Sequence, residues 1–266
     1  MLESVVFQEL RELAEIIVVD NGSTDTSHQI AQCVGGKLRV RIVDAPALAN
    51  LSYARNVGAA ATSADKLLFA DAADELAPGY VASMTAALDA HEFVTSRVDS
   101  ATLNADWLRP SHGPPWQADR VETFFGFLPA AGANIGIHRG VFERVGGFAE
   151  QLAGVEDIGL SWKVQQAGCS IHFVPEAIYR YRYRDTLAGL YRQTRDWGSS
   201  HVRLYRSFRG AGMPGRTLQE AFSEWTDVLR ELLTVRNKTD LACLAVRTGY
   251  CVGRLQGSIR HRTIYL

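Results

Sequence analysis

The chain is poor in the residues that staple a fold or anchor it in a bilayer. Four cysteines in 266 residues, Cys33, Cys169, Cys243 and Cys251, stand far apart, without the close pairs of a metal site or the density of a disulfide framework. That pattern points to free thiols in a reducing compartment; no signal peptide is visible, so a cytoplasmic protein is expected. No apolar run approaches the length of a membrane span. Net charge is only −1, so the molecule as a whole does not advertise a nucleic-acid partner. Neither buried-strand run is followed by G-x-G-x-x-G, which disfavours a dinucleotide oxidoreductase. What remains is an ordinary globular composition, 47% hydrophobic and 21% charged, long enough for one large core with an appendage.

The stretch that organises the chain is Lys66 to Tyr80, KLLFADAADELAPGY. Lys66 to Ala70 is a short apolar run, the pattern of a strand buried in a parallel sheet. It ends in Asp71, Asp74 and Glu75 before Pro78-Gly79 opens a helix reaching Ala90. Carboxylates at the C-terminal end of such a strand lie where open α/β sheets bind ligands, and they can hold a hard cation. They can equally be the acidic residues of a strand-to-helix turn.

Upstream, Met1 to Glu15 reads as a helix, and Ile16 to Val19 as a second buried strand, stopped by Asp20-Asn21-Gly22-Ser23-Thr24-Asp25. Asn-Gly supplies a tight turn and Ser23 or Thr24 can cap the following helix, but nothing in the turn requires Asp20. Leu38 to Val43 is a third strand. Tyr53 to Ala61 is a helix carrying Arg55, whose planar fork suits a carboxylate or a phosphate. Glu92 to Val98 is a strand. Leu108 to Gln117, rich in Pro, Gly and aromatic residues, is a domain-crossing loop or a lid. Gly132-Ala133-Asn134 marks a bulge or the close approach of a ligand.

Further on, Arg139 to Val145 is a helix stopped by Gly146-Gly147. Glu156-Asp157 opens the next helix, where acidic residues complement the helix dipole. Ser170 to Val174 is a strand closed by Pro175. From Arg180 to Arg216 the chain is strongly basic. Leu218, Phe222, Trp225, Leu229 and Leu232, spaced four, three, four and three apart, describe an amphipathic helix. The economical division is an α/β core over residues 1–181 and a basic helical extension over residues 182–266.

Three segments together, IIVVDNGSTDTS, YARNVGAAATSADKLLFADAADEL and GANIGIHRGVFERVGGFAEQLAGVEDIGLSWKVQQAG, resemble the GT-A-fold glycosyltransferases of family 2. The order and spacing agree across most of residues 10 to 184. The resemblance implies a Rossmann-like mixed sheet flanked by helices, and inverting transfer of a single sugar from a nucleotide-diphosphate donor. By the same resemblance, Asp20, with Asn21 and Ser23, holds the base, Arg55 holds base or phosphate, and Asp71 contacts the ribose. A divalent ion, Mn or Mg, is implied on Asp71 and Asp74. Asp157, paired with Glu156, is the general base, kept ionised by the helix N-terminus. Asn134 and Trp162 line the sugar or acceptor. The implied partners are the nucleotide-diphosphate sugar and a glycan or lipid-linked acceptor at the inner membrane face, the basic tail reaching anionic lipid; nucleic acid is not among them.

The chain departs from the family pattern at four places. Where the family reads Asp-Ala-Asp-Asp, this chain reads Asp71-Ala72-Ala73-Asp74, and a methyl cannot ligate a hard cation. The usual opening strand is missing, Met1 falling already in the following helix. A histidine common near the end of the core is replaced by the run from Tyr179 to Arg184, YRYRYR. Gln193-Thr194-Arg195-Asp196-Trp197 only half resembles the motif of processive synthases, which favours single-sugar transfer. The first two departures support an alternative, a catalytically impaired relative or partner subunit that binds sugar nucleotide.

Overall fold

The structure, a computed structural model, describes residues 1–6, 8, 15–35, 40–113 and 116–266. The chain divides into two compact units. The first comprises Met1–Asp99, Gln117–Glu122 and Pro129–Tyr181; the second comprises Ser100–Trp116, Thr123–Leu128 and Arg182–Leu266. The chain leaves the first unit after Asp99, and the Pro-rich loop, of which residues 114–115 lie outside the described set, ends where it returns at Gln117.

The first unit runs α1 (Leu2–Val6), β1 (Ile16–Asp20), α2 (Ser27–Gly35), β2 (Val40–Asp44), α3 (Leu51–Ala60), β3 (Lys66–Leu68), β4 (Glu75–Leu76), α4 (Tyr80–Ala90), β5 (Phe93–Asp99), β6 (Ile135–His138), α5 (Arg139–Arg144), α6 (Glu156–Gln166) and β7 (His172–Arg180). Of the helix expected from Met1 to Glu15, the first turns form α1; residues 7 and 9–14 lie outside the described set, as do residues 38–39 ahead of β2. β1 and β2 pair in parallel. β3, β6, β5, β7 and β4 make a five-stranded mixed sheet in that order. The strand expected in a parallel sheet, β3, pairs antiparallel with β6, and only β5 and β7 run parallel within that sheet.

Period-two alternation places the core on both faces of this sheet. Leu67, Phe93, Ile135 and Ile137 face α5 and α6, with Phe142, Phe148, Leu160 and Val164. Leu68, Val94 and Val174 face the opposite way, onto Tyr80, Val81, Met84 and Leu88 of α4. β7 does not stop at Pro175 as the sequence suggests. Its register against β5 jumps from Ser96↔Val174 to Arg97↔Ile178, so Pro175 falls in an irregularity where no ladder N–H is needed.

The second unit is dominated by α7 (Leu187–Phe208), α8 (Leu218–Thr234) and α9 (Lys238–His261). Gly249, Gly253 and Gly257 form a stripe of four-residue spacing on α9, and this stripe sets how closely α7 packs. A Cβ at Gly253 would collide with the carbonyl oxygen of Arg195, and one at Gly257 would lie 2.9 Å from that of Ser199. From α7 the approach is just as tight: at Gly198 a Cβ would sit 2.5 Å from the Tyr250 carbonyl oxygen. No described helix is long and apolar enough to cross a membrane.

Gly253→Ala therefore forces backbone against backbone and should lower stability by about 3 kcal/mol, the upper end for overpacking. Gly140→Ala, where nothing lies within 4 Å of the added methyl, should instead be neutral or gain about 0.5 kcal/mol. Urea unfolding of both variants beside the parent checks the contrast.

Candidate functional site

Arg55 lies at the centre of the acidic residues picked out by the sequence. α3, which carries it, is capped by Asn50, whose side-chain oxygen accepts the Tyr53 N–H at 3.1 Å. Its small face lets it lie close on β1: a Cβ at Gly58 would fall 2.8 Å from Val19. The buried guanidinium spans two carboxylates with two different nitrogens. Nη2 donates to Asp71 Oδ1 at 2.5 Å and Nη1 to Glu156 Oε1 at 2.8 Å. The ring of Phe148 covers it, with Cζ 5.2 Å from the ring centroid. Burial opposes the charge, but Asp71 and then Glu156 outweigh it, and the group is held firmly protonated. Three segments distant in sequence meet on one cation.

Glu156 is not a cap for its own helix. One carboxylate oxygen takes Arg55 and the other accepts the Gly154 N–H at 2.5 Å, N-terminal to α6. Asp157, beside it, accepts the Ile158 N–H at 2.8 Å. Its pKa is pushed up to about 7, by burial first and by Glu156 second, against the pull of Arg55. The helix N-terminus alone would predict a carboxylate ionised well below neutrality; desolvation and the adjacent anion overcome it. Part of the residue still meets solvent, so a proton can leave.

The turn after β3 is held from below by Tyr179 of β7. Its hydroxyl accepts the Asp71 N–H at 2.9 Å and donates to Asp74 Oδ2 at 2.8 Å. Burial, then Asp71 and Asp74, push this phenol far above its usual range, which keeps the donor proton on it. Asp74 is buried and points inward. Of Asp71 and Asp74, only Asp71 is partly exposed, and it is already engaged by Arg55, while Ala73 offers no ligand atom. Asp71 and Asp74 do not assemble the oxygen set that Mn or Mg requires, so these residues do not fit the expected metal.

Asp20 occupies a different corner. Oδ1 accepts the Gly22 and Ser23 N–H groups at 3.1 and 2.7 Å, and Oδ2 meets His28 Nδ1 at 3.3 Å. The Ser23 backbone contact, with further help from Ser23 and His28, lowers its pKa. Gly22 takes a φ of +87°, the tight turn the Asn-Gly pair announced. Asn21 tethers the next loop, donating to the Ala45 and Leu48 carbonyls and accepting the Asn50 N–H at 2.9 Å. Asp20, His28 and Asp44 bring one potential ligand atom each within 4.8 Å of one another. His28 was not anticipated; its place eight residues after Asp20, across a turn and a helix start, is a spacing that carries no motif.

Asn134 and Trp162 are fully buried. Asn134 Nδ2 donates to the Ser96 carbonyl at 2.9 Å and hydroxyl at 2.7 Å, and Oδ1 accepts from Gln117 at 3.3 Å. As placed, both side chains belong to the interior rather than to a ligand-facing wall. The Tyr179 clamp was missed altogether, since its partners lie more than one hundred residues away in sequence.

Replacing Arg55 by Met removes the shared partner of two acidic groups, so the variant should lose about 3–5 kcal/mol at pH 8. Asp157, which Arg55 helps to keep ionised, then takes its proton more readily, so the deficit should shrink as pH falls toward 5. A denaturation series across pH reads this directly; a deficit independent of pH would contradict the clamp.

Residues 1–146 match the family model described as Glycosyl transferase family 2. Over 119 residues the chain is 36% identical to the uncharacterized glycosyltransferase YibD of Escherichia coli (strain K12), covering 44% of this chain and 32% of that protein. The chain thus spans about a third of that relative's length. Among solved structures, the mannosyltransferase PcManGT from Pyrobaculum calidifontis, in complex with GDP-Man and Mn2+, superposes with a TM-score of 0.63 at 14% identity, over 96% of this chain and 81% of that one. TarS 1-349 of S. aureus, in complex with UDP, superposes with a TM-score of 0.55 at 15% identity, over 100% of this chain and 88% of that one. These likenesses establish the GT-A fold. The family match extends over more than half of the residues, and the protein belongs to glycosyl transferase family 2.

Proposed function

We propose that this chain transfers one glycosyl group from a nucleotide-diphosphate sugar to an acceptor hydroxyl with inversion, Asp157 serving as general base and Glu156 fixing its surroundings. The observation that carries the reading is the Arg55 clamp, which gathers Asp71 and Glu156 and leaves neighbouring Asp157 titrating at about 7. A base works best when its pKa lies near the operating pH. In the step, the acceptor oxygen bonds to the anomeric carbon as its proton passes to the Asp157 carboxylate. The bond from that carbon to the diphosphate breaks, and the leaving group departs with the electron pair. A single displacement inverts the centre.

Asp20, with the backbone it fixes at Gly22 and Ser23, is the proposed base-binding corner, and Asp71 the proposed ribose contact. PcManGT and TarS were solved with GDP-Man and UDP, which supports a nucleotide donor for this chain. No step is assigned to a metal. Arg180, opposite Glu75 in the β4–β7 pairing, heads the basic segment proposed to offset the charge of the leaving group. The acceptor is a glycan or lipid-linked glycan at the cytoplasmic face of a membrane, with Arg260, His261 and Arg262 at the end of α9 nearest anionic headgroups.

A second reading is favoured by one observation: Ala73 and the inward-turned Asp74 leave the strand-end turn without a cation-binding set. On that reading the chain binds sugar nucleotide without turnover. Calorimetry separates the two. UDP binding indifferent to Mn, with no product from any donor, supports the binding subunit; turnover supports the enzyme.

With an active donor, the rate should rise with pH through a midpoint near 7, the ionised carboxylate being the working form. Asp157→Asn should lose at least about 100-fold in kcat while still binding UDP. A variant that turns over like the parent removes Asp157 from the mechanism.

A further inference from the structure

α8 is attached to its neighbours the wrong way round for an ordinary amphipathic helix. Ala221 and Val228 are its buried residues, and beside them its charged flank is tied down by ion pairs: Glu224 with Arg216 at 2.7 Å and with Arg254, and Glu231 with Arg247 at 2.8 Å. A complete capping box, Thr217 with Glu220, fixes its start. The apolar stripe therefore faces outward. Leu218, Phe222, Trp225, Leu229, Leu232 and Leu233 are 69, 72, 36, 58, 58 and 86% exposed. At those fractions they present on the order of 800 Å² of residue surface, about what each partner of a standard interface contributes. That exceeds the largest apolar patch of a typical monomer.

The pattern also says what kind of surface fits it. Spacings of four, three, four and three are the 3.5-residue repeat of a seam that takes another helix, over two heptads. A lipid surface asks for a basic polar face, whereas the polar face of α8 carries Glu220, Glu224, Asp227 and Glu231 against Arg230.

We infer that α8 is the interface through which two copies of this chain pair antiparallel about a twofold axis. Such an interface must be self-complementary, and this stripe is. Antiparallel register sets Phe222 across from the partner copy's Leu232 and Trp225 across from its Leu229. The acidic first turn, Glu220, then lies beside the partner's exposed Arg230 and the Arg236 beyond the helix end, and the helix dipoles oppose. The inference is independent of the glycosyl-transfer reading, since nothing in it uses the first unit.

Sedimentation velocity and light scattering of the full chain across 1–50 µM (roughly the weak end of the range in which interfaces of this size associate) test it. The parent is expected as a dimer. Phe222→Glu/Leu229→Glu should be monomeric with unchanged far-UV circular dichroism, and the milder Leu229→Gln should weaken dimerisation at least tenfold. A monomeric parent overturns the inference, as does a dimer that survives the double substitution. Flotation of a monomeric parent with anionic vesicles would assign the stripe to lipid instead, and overturn it equally.

Discussion

One guanidinium holds the site together. Arg55 sits in a position where an unpaired cation would be prohibitively desolvated, and its two carboxylate partners come from the end of β3 and the start of α6. Neither Arg55 nor Glu156 could be buried alone. Pairing all three groups fixes α3, the strand-end turn and α6 relative to each other, and leaves Asp157 next to both a fixed anion and a fixed cation. Its poise near neutrality results from those opposing neighbours together with burial. Electrostatics and packing coincide here, because Phe148, which covers the guanidinium, also packs edge-on against Phe69 at 4.9 Å in the core beneath.

Behind this clamp lies a second fixing device. Tyr179 takes the Asp71 backbone and the Asp74 carboxylate on one hydroxyl, converting what looked like a cation-binding cluster into a closed turn. The carboxylate density that the sequence displays there is real, but one of its members is used to hold the turn. The cation that Asp71 meets is supplied by the chain itself.

Several elements were readable directly. The apolar run ending at Asp20, the Asn-Gly turn, the helix bearing Arg55 and the acidic start of α6 follow from local rules, and they occur where those rules put them. Contacts that join distant segments were not readable. Spacing favoured a surface salt bridge for Arg55 over a phosphate contact; what it did not carry was burial of that pair with Glu156, 101 residues on. The family resemblance implied Asn134 and Trp162 as lining; both lie in the interior, Asn134 held there by hydrogen bonds to Ser96. The periodicity of α8 announced an apolar face without saying whether anything covers it, since a pattern on one helix carries no information about its neighbours. Pro175 misled for a similar reason: its missing donor matters only if the ladder continues regularly, and the irregularity removes that demand.

The account rests on a coupled acidic site organised by Arg55, and its most direct test is a carbon-13 titration of side-chain carboxyls with Asp157 assigned by substitution. The Asp157 signal is expected to titrate with a midpoint near 7 in the parent, and to move to higher pH when Arg55 is replaced by Gln, because the nearby cation that favours ionisation is gone. A midpoint in the ordinary carboxylate range, unmoved by that replacement, would contradict it.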